Sequence, residues 1–164
     1  MIKKVKKYLH TRNAGILFYH RGAQGIQVLL VQRDLRPGRG CWGGSGGKQE
    51  KGESSLWQTA LRETREEFGD HDIFALARAP YENTGHEPPF VDVGAPFYHF
   101  RLYLIPVAEK PSLLHWPSRL ASHSREWSRA DWFSILHLPP VWKRLPGLGR
   151  AVQALREQSG LLMS

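Results

Sequence analysis

GGKQEKGESSLWQTALRETREEFG, residues 46–69, decides how the rest of the chain is read. A glycine pair leads into a polar turn, and a run bearing Arg62, Glu63, Glu66 and Glu67 follows. Residues three and four apart share one face of an α-helix, so these carboxylates gather on one patch, with Glu53 entering from the preceding loop. Like charges that close repel one another and cost folding stability unless a cation lies among them. Carboxylate oxygens without clustered cysteine or histidine suit a hard ion, Mg²⁺ or Mn²⁺.

The other face of the same helix is apolar. At roughly 100° per residue, Trp57, Ala60, Leu61, Thr64 and Phe68 fall within an arc of about 100°, the width of a core-facing stripe. Leu56 projects toward the carboxylate side on this reading, so the regular helix settles only after it, with Ser54 or Ser55 as N-cap. A solvated surface helix with pairs such as Arg62 and Glu66 could show a similar charge run. The glycines at Gly46-Gly47, Gly52 and Gly69 turn the run into a longer composite pattern, which favours a built site.

That pattern resembles the signature box of the Nudix hydrolases: glycine, five residues, glutamate, seven residues, Arg-Glu, then a Glu-Glu pair and a glycine. Gly47, Glu53, Arg62, Glu63, Glu66, Glu67 and Gly69 fill those places. There are departures. Eight residues, Ser54 to Leu61, separate Glu53 from Arg62, and Thr64 and Asp70 stand where an aliphatic residue is usual. The extra residue is expected at the loop-to-helix junction near Ser54 and Ser55, which leaves the reach of Glu53 dependent on that junction.

The resemblance implies an α/β/α sandwich around a mixed sheet, with the box as a loop-helix-loop. It implies Mg²⁺- or Mn²⁺-dependent hydrolysis of a diphosphate linkage in a nucleoside diphosphate derivative. By position, Glu66 and Glu67 are metal ligands, the Gly47 carbonyl adds an oxygen, and Glu63 is either a ligand or the base that takes the water proton. Arg62 orients the carboxylates through charge-assisted hydrogen bonds, and Glu53 completes or supports the shell. Glu126, in SREWSRADWF, is the candidate for a base supplied by a later loop. A nucleoside triphosphate is the first expected substrate. Dinucleoside polyphosphates, ADP-ribose and RNA 5′ ends stand as alternatives, because no subfamily array is evident downstream of the box.

Composition frames these expectations. A chain of 164 residues is ample for one core and short for two, so one domain over 1–164 is expected, with residues 1–10 as a basic, frayed start. Cys41 is the sole cysteine, which excludes an intramolecular disulfide and gives no reason to expect an oxidising compartment. It is expected to pack beside Trp42. No apolar run approaches the length of a membrane span, and a cytoplasmic protein is expected. The net charge of +8 is front-loaded, with no acidic residue before Asp34. Such a surface attracts polyanions, nucleotides and nucleic acid alike. A catalytically impaired nucleic-acid-binding protein is therefore the rival class.

Outside the box, Asn13 to His20 and Gly25 to Gln32 read as an antiparallel hairpin, and Asp34 to Cys41 as a loop. Ile73 to Ala79 resumes apolar residues. Pro80 to Pro96 reads as a long loop, and Phe97 to Val107 alternates as a strand, with His99 and Arg101 on one face in a mainly structural role. Trp42, Phe97 and Tyr98 are candidates to stack a base, though core packing is their commoner use. Lys110 to Ser124 reads as a loop, Glu126 to Phe133 as a strand, and Leu148 to Gln158 as a closing helix. The histidines show no zinc-ligand spacing.

Overall fold

The computed structural model describes residues 11–69, 72–81, 84–113 and 127–160. Strands β1 (Thr11–Gly22) and β2 (Gly25–Arg33) form the expected hairpin, pairing antiparallel from Tyr19 with Val28 to Gly22 with Gly25. Beyond Tyr19 the two strands part. The gap between them is filled by β3 (Trp42–Gly43), which pairs with β2 at Val31 and Gln32, and by β4 (Ser45–Lys48), which pairs with β1 from Asn13 to Ile16.

On its other edge β1 runs parallel to β6 (Tyr98–Pro106), and β6 carries β5 (Phe90–Ala95) antiparallel. The other edge of β2 pairs with β7 (Trp127–Ser134), completing a mixed sheet of seven strands. Strands covered on both faces read as continuous apolar runs rather than alternating ones. Ala14 to Tyr19 and Val28 to Val31 are buried throughout for this reason.

Helices α1 (Leu56–Phe68) and α2 (Asp72–Arg78) cover one face, where Leu56, Ala60, Phe68 and Ala77 pack with Ile16, Phe18, Tyr103 and Ile105. Helix α3 (Leu148–Gln158) covers the other, where Leu148, Ala151, Val152 and Leu155 meet Leu17, Leu30, Leu102 and Leu104. Each large side chain so buried contributes about 1.5–3 kcal/mol by leaving water. The expected α/β/α sandwich is the observed one.

Two expectations need correction, and one segment without an expected element has one. Leu56 does not face the carboxylates: it is 3% exposed and belongs to the core. Ser55 caps the helix, so Leu56 already stands in its first turn, and the buried stripe runs through Leu56, Thr59, Ala60, Thr64, Glu67 and Phe68. Trp57 and Leu61 are only partly buried beside it. The segment Pro80 to Pro96 is not all loop. It overlaps a turn of 3₁₀ helix at Ala79–Tyr81 and contains the edge strand β5, with Pro88, Pro89 and Pro96 outside the strand and Gly94 paired with His99. Finally, the glycine-rich approach to the box forms β3 and β4, which carry almost no side-chain signal of their own.

Candidate active site

The loop-to-helix junction, where the extra residue is expected, is held in hydrogen bonds. Ser55 Oγ accepts from the Gln58 amide at 3.2 Å, which is the N-cap interaction. Ser54 donates through its amide and its hydroxyl to Gln58 Oε1, at 2.9 and 3.0 Å. At the far end Gly69, with φ 66°, donates its amide to the Arg65 carbonyl at 2.7 Å and ends the helix in a conformation that favours glycine.

Arg62 sits among the box carboxylates. Its Nε donates to Glu53 Oε1 at 2.7 Å, its Nη1 to Glu63 Oε1 at 2.8 Å and Glu66 Oε2 at 3.2 Å, and its Nη2 to the Lys48 carbonyl at 2.8 Å. Glu53 Oε2 in turn accepts from the Glu50 amide at 2.8 Å and from Thr59 Oγ1 at 2.7 Å. Burial by itself would raise the Glu53 carboxyl, but the bonds from Arg62, the Glu50 amide and Thr59 outweigh it and hold the group below its ordinary range. Burial likewise opposes the charge on Arg62, yet its bonds to Glu53 and Glu63 push its pKa above the ordinary value. Both groups are therefore ionised at neutral pH.

The helix docks on the sheet through polar contacts. Glu67 is 2% exposed, and its Oε1 accepts from the Gly46 amide at 3.1 Å. Thr64, found where an aliphatic residue is usual, is fully buried but satisfied, with its hydroxyl 3.1 Å from Ser45 Oγ and donating to the Ala60 carbonyl at 2.7 Å. The Glu63 carboxyl lies so close to Gly47 that a Cβ there would collide with it. Glu66 is 55% exposed at the rim.

Two adjoining cavities open beside this patch. One, of about 500 Å³, has apolar walls at Tyr98, Phe100, Leu145 and Pro146. The other, of about 750 Å³, is lined by Glu63, Glu50, Lys48 and Lys51. Asn13, Arg33, Gly46 and Gly47 line both. Burial raises the Tyr98 hydroxyl, while the positive charge of Arg33 pulls it partly back.

The structure thus brings together Gly47, Glu53, Arg62, Glu63, Glu66 and Glu67. Glu126 lies outside the described residues, as do residues 1–10 and most of the loop expected at Lys110 to Ser124. Among the described residues no group of three or more Asp, Glu, His or Cys side chains is already gathered as a metal-binding cluster, since Arg62 lies between Glu53, Glu63 and Glu66.

Trp42 is buried in the core, and Phe97 turns outward at the β5–β6 hairpin. Of the aromatic candidates only Tyr98 lines the apolar cavity. His99 and Arg101 line neither cavity. Asp92 takes Arg101 through two bonds of 2.9 and 3.0 Å and His99 through one of 3.0 Å. Asn13, Arg33, Phe100, Leu145 and Pro146 went unforeseen, because their separate segments converge only in the fold.

The sequence model of the NUDIX domain matches residues 9–155. No curated protein is similar enough in sequence to match. Among solved structures, a MutT NUDIX hydrolase from Burkholderia pseudomallei aligns at 19% identity over 87% of this chain and 95% of its own, with TM-score 0.56. An Ap4A hydrolase from C. elegans aligns at 21% identity over 93% of this chain and 97% of its own, with TM-score 0.55. A bifunctional NMN adenylyltransferase/ADP ribose pyrophosphatase from Francisella tularensis, complexed with AMP and a Mn ion, aligns at 18% identity over 92% of this chain and 42% of its own, with TM-score 0.59. At these identities the likeness is one of fold.

Proposed function

Since the chain belongs to the Nudix family and is a hydrolase of that class, we propose that it is a single-domain cytoplasmic enzyme cleaving a diphosphate linkage in a nucleoside diphosphate derivative. A nucleoside triphosphate is the first substrate, with a dinucleoside polyphosphate, ADP-ribose or an RNA 5′ end as the alternatives. The observation that carries this reading is the shared wall of the two cavities: Asn13, Arg33, Gly46 and Gly47 join an apolar chamber beside Tyr98 and Phe100, of a kind that suits a base, to a polar one that Glu63 lines.

The donor set suits Mg²⁺ or Mn²⁺ in its chemistry. All donors are hard oxygens, and the bare Gly47 backbone faces the Glu63 carboxyl where any side chain would intrude. Glu63, Glu66, Glu67 and the Gly47 carbonyl would hold the ion, with Glu53 as a further ligand or support. Bound there, it would neutralise diphosphate oxygens and acidify the attacking water. Glu63 is the first candidate to take the water proton and Glu126 the second. Arg62 holds Glu53, Glu63 and Glu66 in place through its hydrogen bonds. Arg33, common to both cavities, supplies a cation for the phosphates.

The test is a panel of nucleoside triphosphates, dinucleoside polyphosphates, ADP-ribose, NADH, nucleotide sugars and 5′-triphosphorylated RNA, with and without Mg²⁺. Cleavage read by chromatography of both phosphorylated products, requiring the ion and falling by more than about 100-fold in Glu66→Gln and Glu67→Gln, is expected, since even outer-shell partners are worth 10–100-fold. Full activity of either variant would remove the ligand assignment. Nucleic-acid binding without turnover of any substrate would favour the impaired binding protein.

A further inference from the structure

Trp142 stands 78% exposed and its neighbour Val141 71% exposed, in a single turn of 3₁₀ helix, Val141–Lys143. The backbone of this turn is pinned. The Trp142 carbonyl lies 3.8 Å from Cys41 Sγ, Lys143 donates its amide to the Pro140 carbonyl at 2.8 Å, and Leu145 donates its amide to the Trp42 carbonyl at 2.8 Å. A rigid segment therefore presents an apolar indole to water. Leu145, three residues on and so within roughly 10 Å along the chain, lines the apolar cavity.

Cys41 closes the loop after β2, and that loop is the basic part of the surroundings. Pro37 and Gly38 line the apolar cavity, and the same two residues with Arg36 and Arg39 line the surface beside it. Asp34 pairs with Arg39 at 3.2 Å. Arg36 and Lys143 have no side-chain partner among the described residues. The exposed ring is next to Lys143 in the chain, its backbone meets the end of the Arg36–Arg39 loop at Cys41, and Leu145 leads from it to the apolar cavity. Single-stranded nucleic acid is held by such parts: bases stack on an aromatic face while Arg and Lys follow the phosphates.

We propose that the Trp142 turn and the Arg36–Arg39 loop bind the strand that continues from the 3′ side of a nucleotide in the cavity, so that the site takes the 5′ end of a single-stranded RNA. This rests on the reading of the cavity as a nucleotide site. It adds a second subsite outside that cavity, with Trp142 stacking the following base and Arg36 and Lys143 meeting the phosphates between.

The test uses the whole protein and a short single-stranded RNA with a 5′ hydroxyl, in EDTA, read by fluorescence anisotropy. Neither metal nor turnover enters, so its result is separate from that of the hydrolase assay. Binding should weaken as salt rises. Trp142→Ala should weaken it about 5- to 150-fold, the range for loss of one stacked base, while Trp142→Phe keeps most of it. Arg36→Ala and Lys143→Ala should each reduce the salt slope by about 1. Thermal midpoints confirm that the variants are folded. Equal RNA affinity of Trp142→Ala and the parent would overturn the proposal. So would a Trp142→Ala variant that loses self-association in sedimentation while keeping its RNA affinity, which would make the turn a protein interface.

Discussion

Arg62 holds three carboxylates and one carbonyl with a single planar fork, and no other cation can reproduce that geometry. Arg62→Lys keeps the charge but loses the simultaneous bonds to Glu53 and Lys48. The expected result is a 10–100-fold fall in kcat/KM, the usual size for a residue that orients ligands, with the thermal midpoint nearly unchanged. Steady-state kinetics beside a melting curve checks both halves. Gly47→Ala addresses the opposite wall, where the new methyl would meet the Glu63 carboxyl. It should cost about 1–3 kcal/mol by overpacking, read as a shift in urea midpoint, and displace Glu63 enough to depress turnover. At this scale the sequence was informative. The spacing of Arg62, Glu63 and Glu66 agrees with the bonds that join them, while Glu67 turns into the buried stripe to meet the Gly46 amide; the bonds of Arg62 to Lys48 and of Glu53 to Thr59 depend on loop geometry that spacing does not encode.

Helix α1 is fastened at its start, where Ser54 and Ser55 both bond to Gln58 before the first full turn is complete. Ser55→Ala removes the cap and should cost about 1 kcal/mol, measured by chemical denaturation. Turnover at a temperature where the variant remains folded should persist, since α1 stays anchored by Leu56, Ala60 and Phe68. The same element shows which signals travel through sequence. α1, the β1–β2 hairpin and α3 were legible from periodicity and caps. β5 was hidden because its short run lies between Pro88-Pro89 and Pro96 and itself ends in Gly94-Ala95, which read as loop chemistry. β3 and β4 were hidden because their strand state comes from the partners β2 and β1.

Across the molecule, the candidate site lies on the helix α1 side and at the split between β1 and β2, while α3 seals the opposite face. The cavity walls come from β1, β2, β4, β6 and the approach to α3. No local pattern announces such a meeting, which is why Asn13, Arg33 and Leu145 escaped the sequence reading. Global stability also has a pH signature away from the site. Bonds from Arg101, opposed by burial and aided by His99, hold the Asp92 carboxyl below its ordinary value of 3.8. A carboxyl depressed in the folded state adds stability that is present above its unfolded pKa and lost as pH falls through the lower folded value. Asp92→Asn should therefore be less stable than the parent at pH 7, and the gap should narrow as both are acidified below the ordinary carboxylate range. Urea midpoints across that range check the sign.

The parting of the hairpin gives the chain unequal tolerance to added length. Ser45, Gly46 and Gly47 are each locked opposite a residue of β1, namely Ile16, Gly15 and Ala14. One more residue upstream of Gly47 would slide that ladder a step and exchange its two faces, carrying Gly47 away from Glu63. Contact with β1 reaches Gln49, whose amide donates to the Arg12 carbonyl at 2.8 Å; from there to Ser55 the chain belongs to no strand, so growth there leaves the carboxylate helix where it stands.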